Sequence, residues 1–206
     1  MKYATKVLPG VITMAVGLVL SVEATEFTWT GGSGNWLTPA NWTPSGFENT
    51  SGHSCTVATG TAQADGTTFY PQLTIAGTDG VGGTLQLSTN TTISGGLRLA
   101  GGRVYFRNVN VGDITLSGNI EAVADTSSRI EPYGRIAYGN DGLGGTITHV
   151  NGSLTGSGTI RIGGTETWPK SFILDGDSSG FNGKLEIDRG GLSLRMNGTF
   201  SMGDNA

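Results

Sequence analysis

The sequence predicts an all-β chain whose short strands stack as a parallel β-helix, a solenoid, with an antiparallel β-sandwich or barrel as the alternative. Three observations point there: a glycine-rich, charge-poor composition, a short strand unit that recurs, and corners too tight to hold a helix. Of 206 residues 36 are glycine, and only 14% are charged. Glycine costs about 1 kcal/mol relative to alanine inside a helix, and no stretch past the N-terminal segment keeps a 3.6-residue apolar period long enough without Gly or Pro. Disorder is the competing reading of such a composition, but regularly spaced Val, Ile, Leu and aromatic residues supply the apolar surface that disordered tracts lack.

From residue 81 onward a glycine or other turn residue is followed by an apolar-polar-apolar triplet. The instances are Leu85-Gln86-Leu87, Leu97-Arg98-Leu99, Val104-Tyr105-Phe106, Ile114-Thr115-Leu116, Ile160-Arg161-Ile162, Leu185-Glu186-Ile187 and Leu192-Ser193-Leu194. A period of two sends the outer pair of each triplet to one face and the middle residue to the other. Strands this short bury too little alone and become stable only on like neighbours. The corners between them, Gly118-Asn119, Gly139-Asn140, Asn151-Gly152, Asn182-Gly183 and Asn197-Gly198, also suit β-hairpins, which keeps the sandwich alternative open. Residues 121–143 depart furthest from the pattern, with Glu131-Pro132-Tyr133 and Tyr138 between triplets, and are expected to form a projecting loop.

The N-terminus sets the expected compartment. Lys2 and Lys6 precede an apolar run from Val7 to Leu20, and Val22 and Ala24 occupy the small-residue positions of a cleavage site, so residues 1–24 read as a signal peptide cut after Ala24. A spanning helix needs about 20 apolar residues, more than this run supplies, so no membrane span is expected in the mature chain. The mature chain is expected to be secreted or held at the cell surface. Its formal charge moves from −4 to 10 − 15 = −5 once Lys2, Lys6 and Glu23 are removed. With the basic residues scattered singly, nucleic acid is excluded as a partner. Cys55 has no second cysteine to pair with and reads as an inert, partly buried thiol.

Two stretches carry a resemblance. Thr28-Trp29-Thr30-Gly31-Gly32, Gly34-Asn35-Trp36 and Asn41-Trp42 look like the opening of many exported bacterial repeat proteins. The run from Leu174 through Gly180-Phe181-Asn182-Gly183 to Leu185, followed by Gly190-Gly191-Leu192-Ser193-Leu194, resembles the autotransporter-associated β-strand repeat. Together they span about a quarter of the chain. The resemblance implies a right-handed parallel β-helix passenger with no catalytic residues, and chains of this kind continue through more repeats, so the sequence reads as a fragment. The layout is then residues 1–24 as signal peptide, 25–80 as a Trp-rich cap with first strands, and 81–206 as the repeat solenoid.

Chemistry-bearing residues are few. Trp29, Trp36 and Trp42 either cap the first coil or form a platform for stacking sugars, and the cap is preferred because terminal units of repeat proteins are atypical. His53 and His149 read as isolated surface residues. Asp175-Gly176-Asp177-Ser178-Ser179 alternates oxygen ligands as a calcium loop does, but the same residues are accounted for as the polar turn of the repeat they resemble. Gly152-Ser153 and Gly156-Ser157-Gly158 lack the context of a nucleophile elbow, and Gly31-Gly32-Ser33-Gly34 and Gly142-Leu143-Gly144-Gly145 lack the lysine of a phosphate loop. Arg161 and Glu186 sit at middle positions of two triplets and are expected to share a face. Asn-x-Ser/Thr sequons at Asn41, Asn49, Asn90, Asn151 and Asn197 read as products of composition. The expectation is a structural or adhesive surface protein that is not an enzyme, with no catalytic, cofactor or metal residues, no cofactor, and cell-surface glycans or other surface proteins as partners. A carbohydrate-binding module and a polysaccharide lyase or hydrolase are the alternatives.

Overall fold

The computed structural model describes residues 24–107, 113–132, 147–163, 170–187 and 192–196, with backbone only for 170–171 and 192–196. The chain is all-β: among the described residues there is no α-helix, one 3-10 turn (Pro39–Asn41), and three sheets whose strands pair almost entirely in parallel. Two antiparallel pairs are the exceptions, Trp42–Thr43 on Glu26–Trp29 and Val81–Gly82 on Gln72–Thr78.

From Thr84 the chain visits the sheets in rotation. Thr84–Leu87 lies in sheet II, Thr91–Thr92 in sheet III, Leu97–Ala100 in sheet I, then Arg103–Phe106 in II, Ile114–Ser117 in III and Ile120–Ala122 in I. The cycle continues through Ser127–Glu131, Ile147–Val150, Leu154–Gly156, Thr159–Ile162 and Lys170–Leu174. Each strand therefore lies beside the one from the previous circuit, an arrangement consistent with a β-solenoid. A circuit is not of constant length: hydrogen-bonded neighbours on adjacent rungs are 23 residues apart at Arg98 and Glu121 but 35 apart at Thr155 and Ile120. Strands before residue 80, among them Ser54–Val57 and Thr61–Ala64, belong to sheets I and II as well.

All seven sequence triplets are strands, and wherever their side chains are described the outer pair faces the core, fully so except on the last rung. Register turns this alternation into columns. In sheet I Phe27, Cys55, Leu73, Leu97, Ile120 and Leu154 stack inward, each paired with the next, while Thr28, Thr56, Thr74, Arg98, Glu121 and Thr155 stack outward. The five aliphatic and aromatic residues of that inward column each remove about 1.5–3 kcal/mol worth of side chain from water, which is what makes three- and four-residue strands viable. On sheet II the inward column runs Leu85, Val104, Ile130, Ile162 and Ile187, and the last is 53% exposed.

The loop expected over residues 121–143 is corrected for its first part. Ile120–Ala122 and Ser127–Glu131 are strands, and of this stretch residues 133–143 fall outside the described residues. The pattern was hidden because Ser128 takes an inward position normally held by an aliphatic residue, where its Oγ accepts a hydrogen bond from the Gly101 amide at 2.8 Å. The corners at Gly118-Asn119 and Asn151-Gly152 carry the chain from sheet III to sheet I instead of folding a hairpin. Successive corners press so closely that a Cβ on Gly152 would overlap the Gly118 carbonyl oxygen, and one on Gly176 would overlap that of Gly152, so this edge is a column of glycines. Gly139-Asn140 and Asn197-Gly198 lie outside the described residues, as do residues 1–23 of the expected signal peptide.

Candidate functional site

Three of the four tryptophans form the first coil's plug. Trp29, Trp36 and Trp42 are at most 2% exposed. Trp36 stacks on Phe69 at 4.7 Å between centroids, Trp42 stacks on Phe47 at 5.1 Å, and Trp29 meets Trp42 edge-on at 5.1 Å. Their ring nitrogens are spent internally: Trp42 Nε1 donates to the Trp36 carbonyl at 2.7 Å and Trp36 Nε1 to Asp65 Oδ1 at 3.3 Å. Asp65 also accepts from Asn35 Nδ2 at 2.8 Å and from the Thr67 amide at 3.0 Å. Desolvation pushes its pKa upward, but these hydrogen bonds together outweigh it and hold the carboxyl below its ordinary value. With the rings covered, no face is left in this segment for a sugar to stack on.

The other sequence candidates separate. His53 Nδ1 accepts a hydrogen bond from the Thr25 amide at 3.2 Å and its ring packs edge-on against Phe27, which makes it part of the plug. His149 is not isolated: its Nδ1 lies 2.9 Å from Asp175 Oδ2, one circuit on. A carboxylate only accepts, so that nitrogen carries the proton. Asp177 instead bonds the amide and hydroxyl of Ser179, so the two carboxylates of the Asp175–Ser179 loop face different partners. Among the described residues no group of three or more His, Cys, Asp or Glu side chains could hold a metal ion. Gly152 and Gly176 are corner residues, Gly156, Ser157 and Gly158 form the turn from sheet I to sheet II, and Gly32 and Ser33 open the first strand of sheet II. Gly142–Gly145 lie outside the described residues. The amides of Asn41, Asn49 and Asn90 hydrogen-bond backbone atoms of neighbouring segments. Asn151 is exposed beside its corner, and Asn197 lies outside the described residues.

Arg161 and Glu186 do share a face, and the structure adds more to it. The outward column of sheet II reads Thr84, Arg103, Arg129, Arg161, Glu186, placing three arginines on consecutive rungs about 4.8 Å apart. Like charges at that spacing repel, and carboxylates interleave: Glu131 sits 3.6 Å from Arg103 and 3.7 Å from Arg129, and Glu186 receives Arg161 Nε at 2.8 Å and Lys184 Nζ at 2.7 Å. Hydrogen bonds from Lys184 and Arg161 hold the Glu186 carboxyl below its usual range. On the same face Arg103 lies over the Tyr105 ring at 5.7 Å.

Beside this face is a cleft of about 500 Å³ at the corner where the chain passes from sheet I to sheet II. Its overhang is the hairpin joining Gln72–Thr78 to Val81–Gly82. Asp79 and Gly80 both take positive φ (52° and 80°), the geometry of the two-residue turn that favours Asp-Gly. The hairpin leans along the stack, with the Gly80 amide donating to the Gly101 carbonyl at 2.9 Å, Gly80 against the Arg129 side chain, and Asp79 Oδ1 3.8 Å from Arg161. Two later turns complete the walls, Asp125-Thr126-Ser127 and Ser157-Gly158-Thr159. Asp79 and Asp125 are the only described non-glycine residues with positive φ. Sequence reading missed this cleft. The Asp79-Gly80 pair was a legible hairpin signal, whereas Asp125 meets Asp79 only because of how the circuits stack.

No family model, no curated protein and no solved structure matches the chain.

Proposed function

We propose that the chain is an exported structural or adhesive surface protein, wound as a right-handed parallel β-helix of the kind implied by its likeness to autotransporter-associated repeats, and that it works without catalysis. The supporting observation is the in-register parallel stacking. The outward column of sheet I is Thr, Arg and Glu side chains, with Arg98 paired to Glu121 at 2.9 Å, and the inward column is buried in the core. Such a body grows along one axis and presents repeated side chains at strand spacing, which suits a spacer or an adhesive surface. Among the described residues no helix is long and apolar enough to cross a membrane.

Expression of the full chain in a bacterial host, followed by fractionation and N-terminal sequencing, tests export. A mature protein beginning at Thr25 outside the cytoplasm supports it, and an uncleaved cytoplasmic protein overturns it. Incubation with a polysaccharide panel tests the non-catalytic reading, which release of reducing ends or of unsaturated sugars would sink.

A further inference from the structure

We infer that the corner cleft roofed by the Asp79-Gly80 hairpin binds a neutral, polyhydroxylated ligand, one or two sugar units of a glycan. This deepens the adhesive reading by naming the ligand class, and it moves the glycan site away from the tryptophans. The lining decides the chemistry. Asp79 and Asp125 offer carboxylate acceptors, and Thr78, Thr126, Ser127, Ser157 and Thr159 offer hydroxyls that both donate and accept. No aliphatic or aromatic side chain lines it, so an apolar ligand gains nothing there. Two carboxylates disfavour an anion. A bare cation is poorly matched: no three ionisable ligands converge among the described residues, and the space is far larger than one ion. What remains is a neutral molecule with many hydroxyl groups, and the volume lies within the range of small-ligand sites.

One lining group lacks a partner of its own. Ser127 Oγ is buried without a hydrogen bond, and a serine side chain has three staggered positions through which it can turn toward a ligand. The acidic pair is available for the same purpose. Asp79 is more than half exposed and its ion pair to Arg161 is long at 3.8 Å. Hydrogen bonds from sugar hydroxyls to carboxylates are the stronger, charge-assisted kind.

The test is saturation-transfer NMR and calorimetric titration of the full mature chain with cellobiose, maltose and lactose, with glucuronate and calcium chloride as comparators. Saturable binding of at least one neutral disaccharide is expected, in the millimolar range or tighter. The double variant Asp79→Asn/Asp125→Asn, in which both residues keep a side chain tolerant of positive φ, is expected to weaken it about tenfold or more. Ser157→Arg fills the cleft from an exposed turn and is expected to abolish it with the melting temperature unchanged. Absence of saturable binding to any of the three disaccharides overturns the assignment. So does binding that neither variant changes, or binding confined to glucuronate or to calcium. These outcomes are independent of export and turnover: a null titration leaves a non-catalytic surface protein standing, and reducing-end release leaves the cleft's ligand class intact.

Discussion

Cys55 shows how far a single position is set by its column. It is fully buried between Phe27 and Leu73, and desolvation raises its thiol from the ordinary 9.0 to about 12. The native protein should therefore resist a thiol reagent at pH 8 and react promptly once unfolded, and reaction at equal rates in both states would contradict this burial. Because the folded pKa is raised, the stability contributed by the protonated thiol is complete below pH 9.0 and declines as pH rises from there toward about 12. Asp65 runs the other way. Its folded pKa is depressed, so its contribution is present above the unfolded carboxylate value of about 3.9 and is lost as pH falls through the lower folded one. Asp65→Ala strips the acceptor from Trp36 Nε1, Asn35 and the Thr67 amide, and should cost about 1–3 kcal/mol by denaturant titration.

Among the elements, corners are less tolerant than faces. Gly152→Ala drives a methyl group into the Gly118 carbonyl oxygen and should destabilise by about 3 kcal/mol, with the melting temperature falling accordingly. Glu121→Gln removes the partner of Arg98 on sheet I, where the two side chains are 44% and 37% exposed, and should cost less than about 1 kcal/mol. The strands were legible from sequence because each triplet carries its own period of two. Ser127–Glu131 was not, since Ser128 in the core and a buried Glu131 break the apolar code while satisfying the backbone through Gly101 and the charge through Arg103 and Arg129. Irregular circuit length had the same effect on the site. Arg161 and Glu186 were readable as a pair because both hold middle positions, but nothing local in the sequence announces that His149 meets Asp175, or that Asp79 comes to lie in one cleft with Asp125 and Ser157.

For the whole molecule, stacking makes stability a sum over neighbouring rungs. Leu99→Ala removes a side chain that is fully buried in the middle of the stack, between Ile75 and Ala122, and should cost about 2–5 kcal/mol. If rungs were energetically independent, chemical denaturation of this variant would show two separated transitions; if coupling dominates, one shifted transition will appear by both circular dichroism and tryptophan fluorescence. In a Trp168→Phe background the remaining tryptophans, Trp29, Trp36 and Trp42, report from the first rungs, so comparing the two signals resolves the end of the body from its length.

The short antiparallel strand Trp42–Thr43 has a consequence for behaviour at high concentration. It lies against Glu26–Trp29 where another parallel rung would otherwise add, and the aromatic plug sits beneath it. A stack of parallel strands is a natural seed for fibres, because every unpaired edge templates the next chain. Reversing the direction of one two-residue strand interrupts that template on sheet I, so a parallel stack does not continue past Glu26–Trp29 in this sheet.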